Sequence, residues 1–319
     1  MNGPKEVLDS TAVSQPAIFV ASMAAVEKLR MEKGDAVIDS ATAAMGLSLG
    51  EYSALCFAGA ISFEDGVKVT KARGEAMQAA SDLVDSSMVS VIGLDSGKVA
   101  ELCAEVWCAA FHQYAATARG LTQMSASGGG RAGDQTLGQG HPHREPALQR
   151  KLRGLGRERG VRCRPGDRQG AQLAHLCRFR PLSRASRAST PRSPKPEFKA
   201  RMTVRLAVAG AFHTDFMAPA VEKLGAVLDE IEITKPRIPV VSNVDAKPHA
   251  DPAVIRKILT AQVTAPVQWE QATSEMLENG YETGYELGPG AVIAGILKRV
   301  KKDAKIENVD VGPPKKAKK

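Results

Sequence analysis

The sequence predicts an α/β protein built on a mostly parallel sheet, and three observations lead there. Short apolar strands alternate with amphipathic helices on both sides of a long polar stretch. Gly46-Leu47-Ser48-Leu49-Gly50 opens an apolar helix in the manner of a strand-to-helix turn. The 319 residues are 43% hydrophobic and 24% charged, enough to bury a sizeable core without disulfides.

Ala17 to Arg30 carries apolar residues at helical spacing, and Asp35 to Ser40 reads as a short passage toward Gly46. Leu49 to Gly59 is small and apolar, with glycine as its stop. Ser62 followed three residues later by Asp65 is a capping-box signature, so Phe63 to Ala80 is predicted as an amphipathic helix carrying Arg73. Met88 to Leu94 alternates like a strand. From Trp107 to about Phe198, Arg, Gly, Pro, Ser and Gln dominate, and such a segment buries too little apolar surface to offset its chain entropy. Disorder is expected over 107–198. Order returns at Lys199: Thr203 to Val208 alternates with Val204, Leu206 and Val208 on one face. The helix after His213 aligns Met217, Val221, Leu224, Leu228 and Ile231. Ile238 to Ser242 is a further strand, and Asp251-Pro252 is an N-cap followed by proline at the first helical position. Trp269 to Glu278 is a helix stopped by Gly280. Tyr281 to Glu286 then leads through Gly288-Pro289-Gly290 into a last helix with a basic final turn, Lys298 to Lys302.

The net charge of +8 is a property of one segment. Residues 131–200 hold 14 Arg and 3 Lys against 5 acidic residues, a local excess of +12 that leaves −4 for everything else. That stretch has only Phe179 and Phe198 as aromatics and no groove-reading motif, so only weak, salt-sensitive contact with nucleic acid is expected and no specific nucleic-acid partner. Cys56, Cys103, Cys108, Cys163 and Cys177 form no C-x-x-C pair, which excludes a zinc site or disulfide framework and favours a reducing, intracellular setting. No apolar run is long enough to span a membrane, and the first twenty residues lack the pattern of a signal peptide.

Chemistry concentrates at Ser48. In a Gly-x-Ser-x-Gly elbow the serine sits on a tight turn where side chains at the flanking glycine positions would collide with backbone, and the following N–H, that of Leu49, faces a developing oxyanion. The pattern also fits a plain glycine-rich turn. A serine nucleophile needs a base, and outside the polar stretch only His213 and His249 are present. His249 lies in a polar loop and reads as a solvated surface residue, whereas His213 stands between strand and helix, where α/β sheets line their ligand crevices. A histidine there can also cap or pack a helix start.

Gly46 to Tyr52, Arg73-Gly74 with Met77-Gln78, Gly210-Ala211-Phe212-His213-Thr214, Ser242-Asn243-Val244-Asp245, Pro266-Val267-Gln268-Trp269 and Glu286-Leu287-Gly288-Pro289-Gly290 occur in that order. Over residues 2–106 and 199–310 the chain thereby resembles the malonyl-CoA:acyl-carrier-protein transacylases of fatty-acid synthesis. The resemblance implies an α/β-hydrolase-like sheet with a nucleophile elbow, plus a small ferredoxin-like subdomain, here disrupted. Residues 1–94 would begin the large domain, 95–198 would be the degraded subdomain, 199–310 the remainder of the large domain together with the return of the subdomain, and 311–319 a basic tail. It further implies that Ser48 attacks malonyl-CoA with His213 as base, and that the malonyl-serine ester is resolved by the phosphopantetheine thiol of acyl carrier protein. The main-chain carbonyl of Gln262 would orient His213, the Leu49 N–H would hold the oxyanion, and Arg73 would pair with the malonyl carboxylate. No metal and no cofactor are expected, and the chain would be monomeric. Leu47 before the serine is similar to plastid and cyanobacterial members. Members of the family usually begin with a strand and a Gly-Gln-Gly oxyanion loop several dozen residues ahead of the point matching Met1, so impaired activity is expected; Gly138-Gln139-Gly140 follows no strand and reads as no substitute. Translation of residues 107–198 in a shifted frame, or from unspliced sequence, would produce the abrupt change there.

Two other functions remain in view. An esterase or thioesterase of α/β-hydrolase type requires an acid between Ser48 and His213 in chain order, where Asp82, Asp85 and Asp95 stand without strand-end context, and it has no use for Arg73. The other is an inactive fragment.

Overall fold

The computed structural model describes residues 5–84, 86–92, 94, 97–104, 173–174, 201–206, 208–281 and 283–312, all within one unit formed by 1–110 and 169–319. After α1 (Lys5–Leu8), α2 runs over Thr11–Lys33 with Pro16 inside it. This helix starts six residues earlier than the apolar spacing indicates, because Thr11 and Gln15 are buried by tertiary contact and Thr11 N donates to Gln78 Oε1 at 3.1 Å. Asp35 to Ser40, expected as a passage, contains α3 (Asp35–Asp39), held by Ile38 packed against Ala25, Val26 and Leu29.

The strand β1 (Ala44–Met45) delivers the chain to α4 (Gly50–Phe57), after which Gly59 takes a left-handed φ of 74°. The next helix, α5 (Phe63–Asp82), begins as its sequence signature requires, with Ser62 Oγ accepting from Asp65 N at 3.0 Å. Two glycines let α5 lie close on α2: a Cβ at Gly66 would stand 2.2 Å from the Phe19 ring, and one at Gly74 would stand 2.6 Å from Thr11 O.

The strand β2 (Val89–Ile92) is the middle of an antiparallel sheet, paired on one side with β3 (Leu173–Ala174) and on the other with β4 (Met202–Arg205). A helix over 97–104, α6, packs Val99 and Leu102 against Val91. The strand expected over Thr203 to Val208 is shorter than its alternation: β4 ends at Arg205, all four of its residues are exposed, and Val204 and Val208 are 42% and 36% exposed. Alternation marks a strand but does not say that another layer covers it.

A 3₁₀ turn (Asp215–Met217) precedes α7 (Ala218–Glu230), whose Leu224 and Leu228 are fully buried, as the spacing requires. The strand β5 (Val240–Val241) runs parallel to β1, with Ala44 opposite Val240. Asp251 caps α8 (Pro252–Gln262) by accepting from Ala253 N at 2.8 Å, and α9 (Trp269–Glu278) ends before Gly280. The strand β6 (Thr283–Leu287), α10 (Val292–Val300) and β7 (Lys305–Val309) close the chain, with β6 and β7 parallel. Glu286 on β6 caps α10 with both carboxylate oxygens, accepting from Ile293 N and Ala294 N at 2.9 Å each.

The architecture is therefore mixed α/β with parallel strands, but the described strands form two parallel pairs and one antiparallel triplet rather than a single mostly parallel sheet. Periodicity finds strands; their neighbours are chosen by long-range pairing, and β7 had no signal clear enough to predict it. The main core gathers Phe19, Tyr52, Leu55, Val69, Met77, Met217, Leu224, Val240, Leu259 and Val263. Of segment 107–198 only β3 is described; its expected disorder, the Gly138-Gln139-Gly140 triplet and the tail beyond Gly312 lie outside the described residues. Among the described residues, no helix is long and apolar enough to cross a membrane.

Candidate active site

The turn from β1 to α4 sets Ser48 at φ 52°, a left-handed conformation uncommon for a side-chain-bearing residue. Asn243, just past β5, holds that turn from the neighbouring strand: its Oδ1 accepts from Ser48 N at 2.5 Å and its Nδ2 donates to Gly46 O at 2.7 Å. The two elbow glycines are not equivalent. A Cβ at Gly46 would stand 2.0 Å from the Gly50 carbonyl carbon, whereas a Cβ at Gly50 would meet nothing within 4 Å. Gly46→Ala is thus expected to destabilise the fold by about 3 kcal/mol or more, and Gly50→Ala by less than about 1 kcal/mol; urea unfolding of the two variants measures the difference.

Ser48 Oγ lies 2.7 Å from His213 Nε2, and His213 Nδ1 lies 2.8 Å from the main-chain oxygen of Gln262. A carbonyl can only accept, so Nδ1 carries the proton and Nε2 is left free to take one from the serine. Gln262 is the last residue of α8, so its carbonyl belongs to the unsatisfied, partly negative end of the helix and can orient the imidazole as a carboxylate would. His213 also has a left-handed backbone, φ 60°, and its N–H donates to Val263 O at 3.1 Å. The Leu49 N–H follows at the start of α4 and meets no acceptor among the described residues.

Arg73 is 1% exposed on the α5 face turned to this cluster. Its NH1 donates to Gln15 Oε1 at 2.6 Å, its NH2 donates to Ser48 Oγ at 2.9 Å and Gln262 Oε1 at 3.0 Å, and its Nε meets no hydrogen-bond partner among the described residues. Burial lowers its pKa, opposed by the Tyr52 hydroxyl and by Glu51. The guanidinium stands 5.4 Å over the Tyr52 ring, and burial pushes that phenol up to about 12. A buried cation with N–H donors still unspent beside a nucleophile is suited to an anionic group on the substrate.

Glu51, Asn243 and Gln15 belong to this cluster although the sequence reading assigned them no role. Glu51 is 3% exposed, and burial raises its carboxyl from 4.5 to about 7 against the hydrogen bonds from Asn243 N and Gln262 Nε2 and the charge of Arg73. Nothing local marks Gln15: a glutamine in the second turn of a helix reads as surface. His249 is not part of the cluster; it pairs with Asp245 at 2.9 Å and is a partly buried paired residue rather than a solvated one. The partner shown at His213 Nδ1 is the Gln262 main-chain carbonyl, in the place a hydrolase acid would take; Asp82 accepts from Gln78 on α5, and Asp85 and Asp95 lie outside the described residues. Among the described residues no group of His, Cys, Asp and Glu could hold a metal ion.

The raised Glu51 pKa has a pH signature. Because the folded state favours the neutral acid, the contribution is fully present below about pH 4.5 and is lost as pH rises through about 7. Glu51→Gln removes that loss, so its stability relative to the wild type is expected to rise by about 3 kcal/mol between pH 4.5 and 8, measured by denaturant unfolding across that window.

No family model matches the chain. It is 36% identical over 306 residues to "Malonyl-CoA-acyl carrier protein transacylase, mitochondrial" of Mus musculus, covering 93% of this chain. It is 30% identical over 298 residues to the malonyl CoA-acyl carrier protein transacylase of Escherichia coli strain K12, covering 93% of this chain and 77% of the relative. The chain spans 66% of the length of the mouse relative and 65% of the human one. Among solved structures it resembles an acyl-carrier-protein-S-malonyltransferase from Bartonella henselae, with 26% identity, a TM-score of 0.66, and coverage of 98% of this chain and 81% of that one. It also resembles a malonyl-transacylase solved in complex with a type II PKS acyl-carrier protein, with 25% identity, a TM-score of 0.65, and coverage of 97% and 81%.

Proposed function

Because this chain belongs to the malonyl-CoA–acyl carrier protein transacylase family, we propose that it transfers a malonyl group from malonyl-CoA to the phosphopantetheine thiol of an acyl carrier protein. The observation that carries the proposal is the join between a serine–histidine pair at 2.7 Å and a buried arginine that touches the same serine oxygen at 2.9 Å. The first supplies a nucleophile, and the second supplies the charge that a free carboxylate needs.

In this reading His213 Nε2 accepts the Ser48 proton as Oγ adds to the thioester carbonyl, and the negative oxygen that forms takes the Leu49 N–H. The Nε2 proton then passes to the departing CoA sulfur, leaving a malonyl ester on Ser48. The carrier thiol gives its proton back to Nε2, attacks the ester, and restores the serine. Arg73 exchanges its contact with Ser48 Oγ for the malonyl carboxylate, to which a planar two-pronged donor is matched. The reaction needs no cofactor.

The antiparallel triplet of β2, β3 and β4 with α6 supports a small ferredoxin-like subdomain that starts at β2, a few residues before 95, and returns at β4, and the β1–α4 elbow supports a large domain of α/β-hydrolase type built from the rest of 1–94 and 199–310. A monomer without a specific nucleic-acid partner, in the plastid as Leu47 suggests, completes the reading. The test is incubation with malonyl-CoA followed by peptide mass mapping. The malonyl mass is expected on the peptide containing Ser48 and absent in Ser48→Ala; label on another residue, or label that survives the substitution, refutes the assignment.

A further inference from the structure

Glu51 lies one helical turn after Ser48, and its carboxylate turns inward, away from solvent, to meet two chain segments that are distant in sequence. Its Oε2 accepts from Asn243 N at 3.1 Å and from Gln262 Nε2 at 2.5 Å. Asn243 is the residue that clamps the elbow through Ser48 N and Gly46 O. Gln262 is the residue whose main-chain oxygen holds His213 Nδ1, and its side chain reaches the site twice more, donating to Ser48 O at 3.1 Å and accepting from Arg73 NH2 at 3.0 Å. One carboxylate oxygen therefore ties together the residue that shapes the nucleophile turn and the residue that aims the base.

The amide of Gln262 shows why a carboxylate suits this position. Seen by shape alone the amide could sit in either of two flipped orientations. Arg73 has only donors, so it requires Oε1 on its side, and Glu51 Oε2 accepts both as a carboxylate oxygen and as the carbonyl oxygen of the neutral acid, so it draws Nε2 to the other. Without Glu51 the Nε2 group keeps the single bond to Ser48 O, Asn243 N loses its buried acceptor, and the end of α8 is free to move the carbonyl that orients His213.

We infer that Glu51 is a positioning residue, which sets the reactivity of Ser48 by fixing Gln262 and Asn243 together. It touches neither substrate nor the reacting atoms, and it acts on the rate through the alignment of Ser48 with His213. The inference rests on the serine–histidine pair of the proposed function but not on the identity of the acyl group.

An alkyl phosphonofluoridate probe tests it, since this reagent reports the nucleophilicity of an activated serine whatever the natural substrate. In Glu51→Ala the first-order inactivation constant at saturating probe is expected to fall about 30- to 100-fold with the half-saturating concentration little changed, because alignment is lost while the pocket remains. Glu51→Gln, whose oxygen can accept the same two N–H groups, is expected to recover the rate to within about fivefold of the wild type. The labelled end-point separates this from unfolding, which lowers the fraction of protein that reacts and leaves the rate of the folded fraction unchanged. If Glu51→Ala does not fold, Gln262→Met severs the side-chain link while keeping the main-chain carbonyl, and the same fall in rate is expected. Full-amplitude labelling at the wild-type rate in either Glu51→Ala or Gln262→Met overturns the inference, as does a Glu51→Gln as slow as Glu51→Ala. Wild-type protein that takes the probe on Ser48 but no malonyl group from malonyl-CoA refutes the proposed substrate and leaves the role of Glu51 decided by the probe.

Discussion

Ser48→Ala is expected to lower single-turnover malonyl transfer by about 10⁴- to 10⁶-fold, His213→Ala by a comparable factor, and the double variant by no more than the worse of the two. The pair acts as one unit. Ser48 Oγ is a poor nucleophile while it keeps its proton, and among the described residues the side-chain nitrogen placed to remove that proton is His213 Nε2, at 2.7 Å. With either partner gone the chemistry that the other supports is also gone, so the two losses do not multiply. Transient kinetics with radiolabelled malonyl-CoA measures all three variants; losses that multiply in the double variant would show that the two residues act in separate steps.

Arg73→Ala is expected to reduce acylation by malonyl-CoA about 10²- to 10³-fold and to affect acetyl-CoA far less or in the opposite direction. The substitution leaves a malonyl carboxylate in a buried site without its counter-charge, a state costing about 3–5 kcal/mol, while an acetyl group has no charge to place there. The new cavity acts on both donors alike, so the ratio of the two rates isolates the charge. Equal losses would mean that Arg73 serves only to hold Gln15, Ser48 and Gln262 in place. Arg73→Lys is expected to stay well below the wild type, because one ammonium cannot reproduce the three bonds that the guanidinium spreads over those three residues.

Local chemistry made much of this molecule readable from its sequence. The Ser62–Asp65 cap, the Asp251-Pro252 helix start, the core face of α7 and the stop at Gly280 depend on residues within one or two turns of each other. The elbow is legible for the same reason, since five consecutive residues fix its backbone. Ser48, His213, Arg73 and Gln262, which the sequence and its resemblance single out, do converge in one hydrogen-bonded cluster.

Other features depended on distant partners. Whether β1 pairs with β5, whether β4 is covered, and whether 35–40 coils into a helix are settled outside each segment itself, in the first case by β5 and in the last by Ala25, Val26, Leu29 and Val309 around Ile38. The site divides along the same line. A nucleophile and its turn are encoded within five residues, but Gln15 meets Arg73 across 58 residues, Asn243 meets Ser48 across 195, and Glu51 meets Gln262 across 211. The sequence determined which residues could do the chemistry, because residue type and local backbone carry that information. Only the tertiary structure decided which buried polar groups hold them in place, because an unpaired polar group in the core can take its partner from any segment the fold brings within hydrogen-bonding distance.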